Sequence, residues 1–315
     1  HKSDPALQAA HAACPWSVTW DDHEVQNDYA ATAGHTGRGD ATSFLAQRGA
    51  AWQAFYENMP LRAASLNRPF PDTRWDALQV YRRLRWGRLA HIHLLDSRQY
   101  RSWQACRAPD SGSAGPVRGN SCADLADPTR SLLGTAQEQW LDTGLATDAA
   151  TQDATHWSVI AQQTLLSPRH YPSGTVTTDN WDGYPASRAR LLQAVAKHKP
   201  RNTVLLGGDI HQNYVCRVHA NADRPDSPVI ASEFCGTSIS SRSGTTQDKV
   251  DAVVRHNPHV LLARCDLRGY GLAHITPTQW TTTLRVLDDP LRADSGASTL
   301  ARFVVQDGRA GPVAA

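Results

Sequence analysis

The sequence predicts an α/β fold of the α+β kind, one domain built from two sheets covered by helices. Three observations predict it. Short apolar runs bounded by Gly, Pro, Asp and Asn recur along the 315 residues and have the length of buried strands. Between them lie stretches whose apolar residues return at helical spacing. The two kinds are interleaved, the later part is richer in strand, and neither a repeat nor a long linker divides the chain.

Taken in order, residues 4–12 read as a short helix ended before Pro15, and residues 16–20 as a strand running from Trp16 to Trp20. Residues 34–40 form a turn-rich loop. A helix follows with Leu45, Trp52, Tyr56 and Met59 on one stripe, stopped by Pro60. Residues 80–85 and 91–95 alternate like strands, the second running into Asp96. Thr135-Ala-Gln-Glu138 has the form of a capping box opening a helix through Trp140, Leu141 and Leu145. Residues 157–161 are a strand, and Pro185 opens a helix running to about Lys199. Residues 204–206, 214–218 and 229–234 read as strands, 250–254 as helix, and 260–305 as mostly strand.

At 34.4 kDa and 40% apolar, the chain has enough material for a full core. A net charge of +2 argues against a general nucleic-acid or membrane-surface binder. No apolar run approaches the roughly 18–20 residues of a membrane span. Of the six cysteines, Cys14, Cys216, Cys235 and Cys265 have apolar or strand-like neighbours and read as small core residues. Cys106 and Cys122 flank an aperiodic loop. A disulfide there, on the order of 3 kcal/mol, and two free thiols are equally open readings; the bridge implies an oxidising compartment.

The chemistry concentrates in two places. Asp21-Asp22-His23-Glu24 directly follows the 16–20 run, as if a strand delivered ligands at its carboxyl end. Nearly two hundred residues later, Val204-Leu-Leu-Gly-Gly-Asp209-Ile-His211 repeats that grammar. Asp22 and Asp209 are hard oxygen donors, His211 offers nitrogen, and residues two apart on extended backbone point the same way. Two such clusters point to a metal-dependent hydrolase, in which paired metals clamp the attacking and leaving oxygens at phosphorus. His23 is placed to protonate a leaving group and Glu24 to orient it. Two unrelated salt-bridged turns are the bland alternative. A third cluster, Asp179-Asn-Trp-Asp182-Gly-Tyr184, precedes the helix at Pro185; Asp179 or Asp182 supplies a further metal oxygen, or Asp182 caps that helix. His91-Ile-His93 sits within a strand and reads as ordinary partly buried histidine, not as the metal motif of an amidohydrolase barrel. Asp96-Ser-Arg98-Gln-Tyr100-Arg101 reads as an internal ion-pair network, with an arginine reaching a substrate phosphate as the alternative.

These motifs together resemble the alkaline phosphatase D (PhoD-like) metallophosphatases of the calcineurin-like superfamily. The resemblance runs through Asp4-Pro-Ala-Leu-Gln to His11, Trp20-Asp-Asp-His-Glu-Val to Tyr29, Leu95-Asp-Ser-Arg-Gln-Tyr-Arg101 and Leu133-Gly to Gln139-Trp-Leu141. It continues through Trp157 to Gln163, Trp181-Asp-Gly-Tyr-Pro185, Gly208-Asp-Ile-His211, Glu233-Phe to Thr237-Ser-Ile-Ser-Ser241 and Arg268-Gly-Tyr270. It implies a two-sheet sandwich flanked by helices, α/β/β/α, that hydrolyses phosphomonoesters or phosphodiesters with metal-activated water. The superfamily's Gly-Asn-His-Glu step looks like Asp21-Asp22-His23-Glu24, and its Gly-His-x-His step like Gly208-Asp209-Ile210-His211. By resemblance the cofactors are iron and calcium, with other divalent metals as alternatives, and the two Asp replacements favour hard ions. The family further implies small phosphate-ester substrates, a periplasmic or secreted location and a monomer.

Family members carry, upstream of the Trp-Asp-Asp-His-Glu step, a β-domain and a Gly-Asp-x-x-Tyr strand end with a nearby cysteine. The chain opens at His1, after them, and Cys14 does not sit where that cysteine belongs. The expectation is therefore the carboxyl-terminal two-thirds of a catalytic region, whose alternative is a non-catalytic secreted scaffold or an inactive fragment.

Overall fold

The computed structural model describes residues 2–35, 41–69, 72–108, 115–151 and 155–315. Helix α1 (Pro5–Ala13) starts where Asp4 Oδ1 accepts the amide of Leu7 at 2.9 Å and Pro5 supplies a preset φ. It buries none of its residues. Cys14, expected in the core, is exposed at its end, because α1 lies on the surface.

The 16–20 run, expected as a strand, joins no sheet. Side chains hold it instead: Arg82 donates to Val18 O at 2.8 Å and Gln163 to Trp20 O at 3.0 Å. Trp20 is fully buried, stacked on Trp52 at 4.4 Å with Phe55 edge-on. Packing a large aromatic satisfies the apolar pattern without backbone pairing. Helix α2 (Ala41–Asn58) buries Phe44, Arg48, Trp52 and Phe55, a stripe displaced from the expected one; Leu45 and Tyr56 are half-buried and Met59 exposed. Arg48 rotates the helix: its stem is buried, its guanidinium lies 4.3 Å from the Trp52 ring centroid, and it donates to the carbonyls of Ala31 and Asp76. Of the loop expected over 34–40, residues 36–40 lie outside the described residues.

Strands β1 (Arg82–Trp86) and β2 (Ala90–Leu94) form an antiparallel hairpin. Strand β3 (Pro116–Arg118) pairs with β5 (Thr175–Thr177) in a small outlying ribbon. Helix α3 (Thr135–Ala150) follows, then β4 (Trp157–Ala161) and helix α4 (Pro185–His198). The expected capping box does not form. Gly134 is the N-cap and Thr135 is already helical, while Glu138 is taken up by Ser131, Ser187 and Arg190. Gly134 has φ +73°, and a Cβ there would meet Tyr100 Cβ at 2.8 Å, so glycine is required.

Strands β6 (Val204–Gly207), β7 (Asn213–His219) and β8 (Val229–Cys235), helix α5 (Gln247–Val254) and β9 (Val260–Arg264) complete the larger sheet. Its order is β1-β2-β4-β6-β8-β7-β9, parallel from β2 through β8 and antiparallel towards both edges. Strands β10 (Gly269–Ile275), β11 (Gln279–Leu287), β12 (Ala297–Gln306) and β13 (Val313–Ala314) make a second, antiparallel sheet.

One face of the larger sheet packs Ile160 and Leu205 against Leu141 and Leu145 of α3 and Leu191, Leu192 and Val195 of α4. The other packs Trp157, Val159, Val204 and Phe234 against Trp280, Leu284, Phe303 and Val305 of the second sheet. The fold is the two-sheet sandwich with helices that the sequence predicts. Buried on both faces, the parallel strands read as unbroken apolar runs. Cys106 and Cys122 are disulfide-bonded. Among the described residues no helix is long and apolar enough to cross a membrane.

Candidate metal centre

In an open sheet with parallel strands, polar groups collect beyond the strands' carboxyl ends, where the backbone turns away from the core. After β2, Asp96 Oδ1 accepts the amides of Arg98 and Gln99, both at 3.0 Å, folding the chain so that Arg98 points back under the sheet end. After β4, Gln163 accepts from the amide of Ser97 at 3.1 Å and donates to Thr19 Oγ1 and the carbonyls of Trp20 and Leu95. That one buried amide pins the segment carrying Asp21 and Asp22 to the strand ends. At the end of β6, a Cβ on Gly207 would lie 2.3 Å from Thr164 O, so glycine lets β6 run close to the turn that follows β4. The turn after β6 holds Asp209 at φ +69° and His211 at +55°, left-handed conformations that end its extended backbone.

The result is a cluster of carboxylates that includes Asp22 and Asp209, two of the five expected ligands. Ligand oxygens of Asp21, Asp22 and Asp209 all lie within 4.8 Å of one another. Asp22 is buried and its Oδ2 accepts the amide of Asp28 at 2.8 Å. Beneath the three carboxylates lies Arg98, fully buried. Its Nε donates to Asp21 Oδ1 at 2.5 Å and its Nη1 to Asp179 Oδ1 at 2.7 Å; Nη2 lies 3.4 Å from Asp209 Oδ1 and 3.9 Å from Asp22 Oδ2. Asp179 also accepts from Arg101 Nη1 at 2.7 Å. The expected internal ion-pair network is therefore present, centred on Arg98.

Charge does not balance here. Four carboxylates (Asp21, Asp22, Asp179, Asp209) face two guanidiniums (Arg98, Arg101). Burial, then the charge of Asp21, pushes the Asp209 carboxyl well above its ordinary range against the pull of Arg98. Burial and the Asp179 charge likewise push Asp28 up to about 7. Asp179 is held below its ordinary value: burial works against this, but Arg98 and Arg101 outweigh it. A cluster of hard oxygens with surplus negative charge fits a cation. His211, two residues after Asp209, is not among the grouped ligand atoms; its Nδ1 donates to Arg242 O at 3.0 Å, which leaves Nε2 as the lone-pair nitrogen.

His23 is exposed, its side chain 75% accessible. Its Nε2 lies 3.0 Å from Asn27 Oδ1 and 4.0 Å from Asp22 Oδ2, beside the cluster without entering it. Glu24 accepts the amide of Asp21 at 2.8 Å, bracing the turn that carries Asp21 to His23, and burial raises its pKa. Asp182 is not brought to the cluster. Its carboxylate pairs with Arg188 and accepts the amide of Arg169 at 3.3 Å, and Tyr184, not Asp182, is the N-cap of α4. Asp179 is adjacent through Arg98. The sequence reading had not singled out Asp21 as a ligand, nor Asp28; the only signal was their position in the same acidic run.

His91 and His93 lie on the α3 side of β2, where Asp148 of α3 accepts from both, at 2.8 Å from His93 Nε2, and from Ser158 at 2.6 Å. The three form a compact His-His-Asp group. Arg83 Nε donates to His93 Nδ1 at 3.3 Å, so Nε2 carries the proton and faces Asp148. A metal on Nε2 would set two donors against each other at Nδ1, so the group is read as a structural hydrogen-bond network.

A family model described as PhoD-like phosphatase matches residues 1–284. The alkaline phosphatase D of Bacillus subtilis (strain 168) is 38% identical over 317 residues, covering 99% of this chain and 51% of that protein. A solved structure titled "Structure of PhoD" superposes with a TM-score of 0.87 at 36% identity, covering 99% of this chain and 57% of that one. The chain thus spans about half the length of the curated relative it matches.

Proposed function

The chain belongs to the PhoD-like phosphatase family, and from that premise we propose that it carries the metal-binding and proton-donating side of a centre hydrolysing phosphomonoesters, phosphodiesters or both. The observation that carries the reading is the convergence of Asp21, Asp22 and Asp209 at the strand ends, with His211 on the same turn. These four would hold the cations, iron and calcium or other divalent metals, with Asp179 steadying Arg98 beneath them. Such ions supply Lewis-acid charge and lower the pKa of water at neutral pH, and two together suit an in-line displacement.

The residues of the chain do the rest. As an oxygen from water bonds to phosphorus, the ester P–O bond breaks and the departing alkoxide needs a proton. His23, exposed and beside Asp22, delivers it as general acid. Glu24 holds the turn on which His23 stands. The Cys106–Cys122 bridge supports a periplasmic or secreted setting, and the protein acts as a monomer on small phosphate esters.

The test is turnover of 4-nitrophenyl phosphate and bis(4-nitrophenyl) phosphate by this chain, and by a form extended upstream, with metals counted in the same samples. Metal-dependent turnover that His23→Ala lowers supports the reading. Folded protein with neither metal nor turnover in either form leaves a non-catalytic scaffold.

A further inference from the structure

Buried arginines in this protein are spent on partners. Arg98 and Arg101 meet carboxylates, Arg188 meets Asp182, and Arg268 donates to the carbonyls of Cys265 and Leu267. Arg169 differs. It is 9% exposed, yet among the described residues its guanidinium makes no ion pair and no hydrogen bond, and its Nε is sealed with no partner. The Tyr171 ring centroid lies 6.0 Å from the guanidinium and the charge of Asp182 also reaches it, but neither supplies an acceptor for its N–H groups.

That guanidinium borders a cavity of about 430 Å³. Tyr171, Gln212, Tyr214 and Lys249 line it with Arg169, and Val253 of α5 gives it an apolar side. A second buried polar atom without a partner, Gln212 Oε1, belongs to the same lining. Arg169 also borders a smaller space on its other side, but there Asp182 and Arg188 already satisfy each other. Gln212, in the lining of the larger cavity, is the residue that follows His211 in the chain. Cys235, whose Sγ donates to Gly208 O at 3.3 Å, feels the charges of both Asp209 and Arg169.

We propose that Arg169, with Lys249, forms the anion-binding end of a subsite for the alcohol portion of the substrate, favouring esters whose leaving group carries a carboxylate, sulfate or second phosphate. An aromatic or aliphatic body lies against Val253 and the two tyrosine rings, its anion meets Arg169 and Lys249, and its ester end faces the turn of His211. Calling the occupant a leaving group rests on the phosphoester-hydrolase reading; the anion site does not.

The experiment therefore has two arms on the same metal-loaded protein. In the first, titration calorimetry compares 4-hydroxybenzoate with phenol. The subsite predicts saturable binding of the carboxylate, weakened about tenfold or more by Arg169→Gln, less by Lys249→Gln, with phenol indifferent to both. In the second, the ratio of kcat/KM for 4-carboxyphenyl phosphate over phenyl phosphate is compared between wild type and variants, so that intrinsic reactivity cancels. It should fall about tenfold in Arg169→Gln and be largely kept in Arg169→Lys. Should Arg169→Gln melt at lower temperature, Lys249→Glu at the exposed rim reverses charge without disturbing the interior and must lower the ratio. Discriminating binding without turnover keeps the subsite and removes the hydrolase. Turnover with an unchanged ratio and equal binding of the two probes overturns the subsite.

Discussion

Replacing Arg98 by methionine keeps most of the stem volume and removes the charge on which four carboxylates converge. Asp21 loses a 2.5 Å hydrogen bond and Asp179 one of 2.7 Å, while Asp209 and Asp22 lose a cation 3.4 and 3.9 Å away. Breaking a buried pair on one side costs about 3–5 kcal/mol, chiefly because the other charge is left uncompensated. Asp179 keeps Arg101, and the side chain of Asp21 is 27% accessible to water, so the lower part of that range, ~3–4 kcal/mol, applies here. At roughly 2–4 °C per kcal/mol for chains of 150–250 residues, and somewhat less for one this long, the melting temperature should fall by about 5–12 °C. Carboxylates freed from Arg98 should also take up added calcium, and a ligand at a hundred times its Kd restores about 2.7 kcal/mol. The assay is a circular-dichroism melt of wild type and Arg98→Met at mildly alkaline pH, with and without millimolar calcium. An unchanged melting temperature, or a fall that calcium leaves untouched, would refute the reasoning that Arg98 is the counter-ion of a cation-binding cluster.

Other expectations follow from separate parts of the molecule. Burial holds His259 to about 4, although its hydrogen bond to Pro168 O opposes this; the unfolded chain takes up the proton near 6.5, so stability present above that pH is lost as pH falls from about 6.5 towards 4. At ~1.4 kcal/mol per unit the loss is about 3 kcal/mol; urea midpoints across that window should slope less in His259→Gln, and equal slopes would contradict it. The Cys106–Cys122 bridge, 16 residues apart, should contribute about 3 kcal/mol, so dithiothreitol should lower the melting temperature of wild type but not of Cys106→Ser/Cys122→Ser. As a general acid, His23 should matter by leaving group: His23→Ala should lower kcat by about 10²- to 10⁴-fold for an alkyl phosphate and far less for 4-nitrophenyl phosphate, and equal losses on both would speak against that role.

The strands of the larger sheet were legible because parallel strands buried on both faces leave continuous apolar runs, as in residues 157–161 and 204–206. What misled was tertiary. Trp16 to Trp20 has a strand's composition, but Trp20 satisfies it by stacking on Trp52 rather than by pairing. The α2 stripe was displaced because a stripe drawn from apolar residues omits Arg48, whose stem lies in the core. Thr135 and Glu138 have capping-box spacing, yet Arg190 and Ser187 draw Glu138 away. In the candidate site, Asp209 was legible as a strand-end carboxylate because Gly207 announces a chain leaving the core, whereas Asp22 was singled out on the same ground although the run before it joins no sheet. The position of Arg98 beneath them was not legible, since nothing in Asp96-Ser-Arg98 says which carboxylates will surround it. Asp182 was miscast for the same reason: its partner Arg188 lies in the first turn of α4, and nothing in the acidic motif says that an arginine there will take up the carboxylate.

The most direct test of the central claim is Asp209→Asn, with bound metal measured by elemental analysis and 4-nitrophenyl phosphate turnover measured on the same samples. Asparagine is nearly isosteric and tolerates the φ of +69° at this position, so the fold should survive. The account predicts that metal content and turnover fall together while the melting curve of the metal-free protein is kept. Full metal occupancy and undiminished turnover in the variant would contradict it.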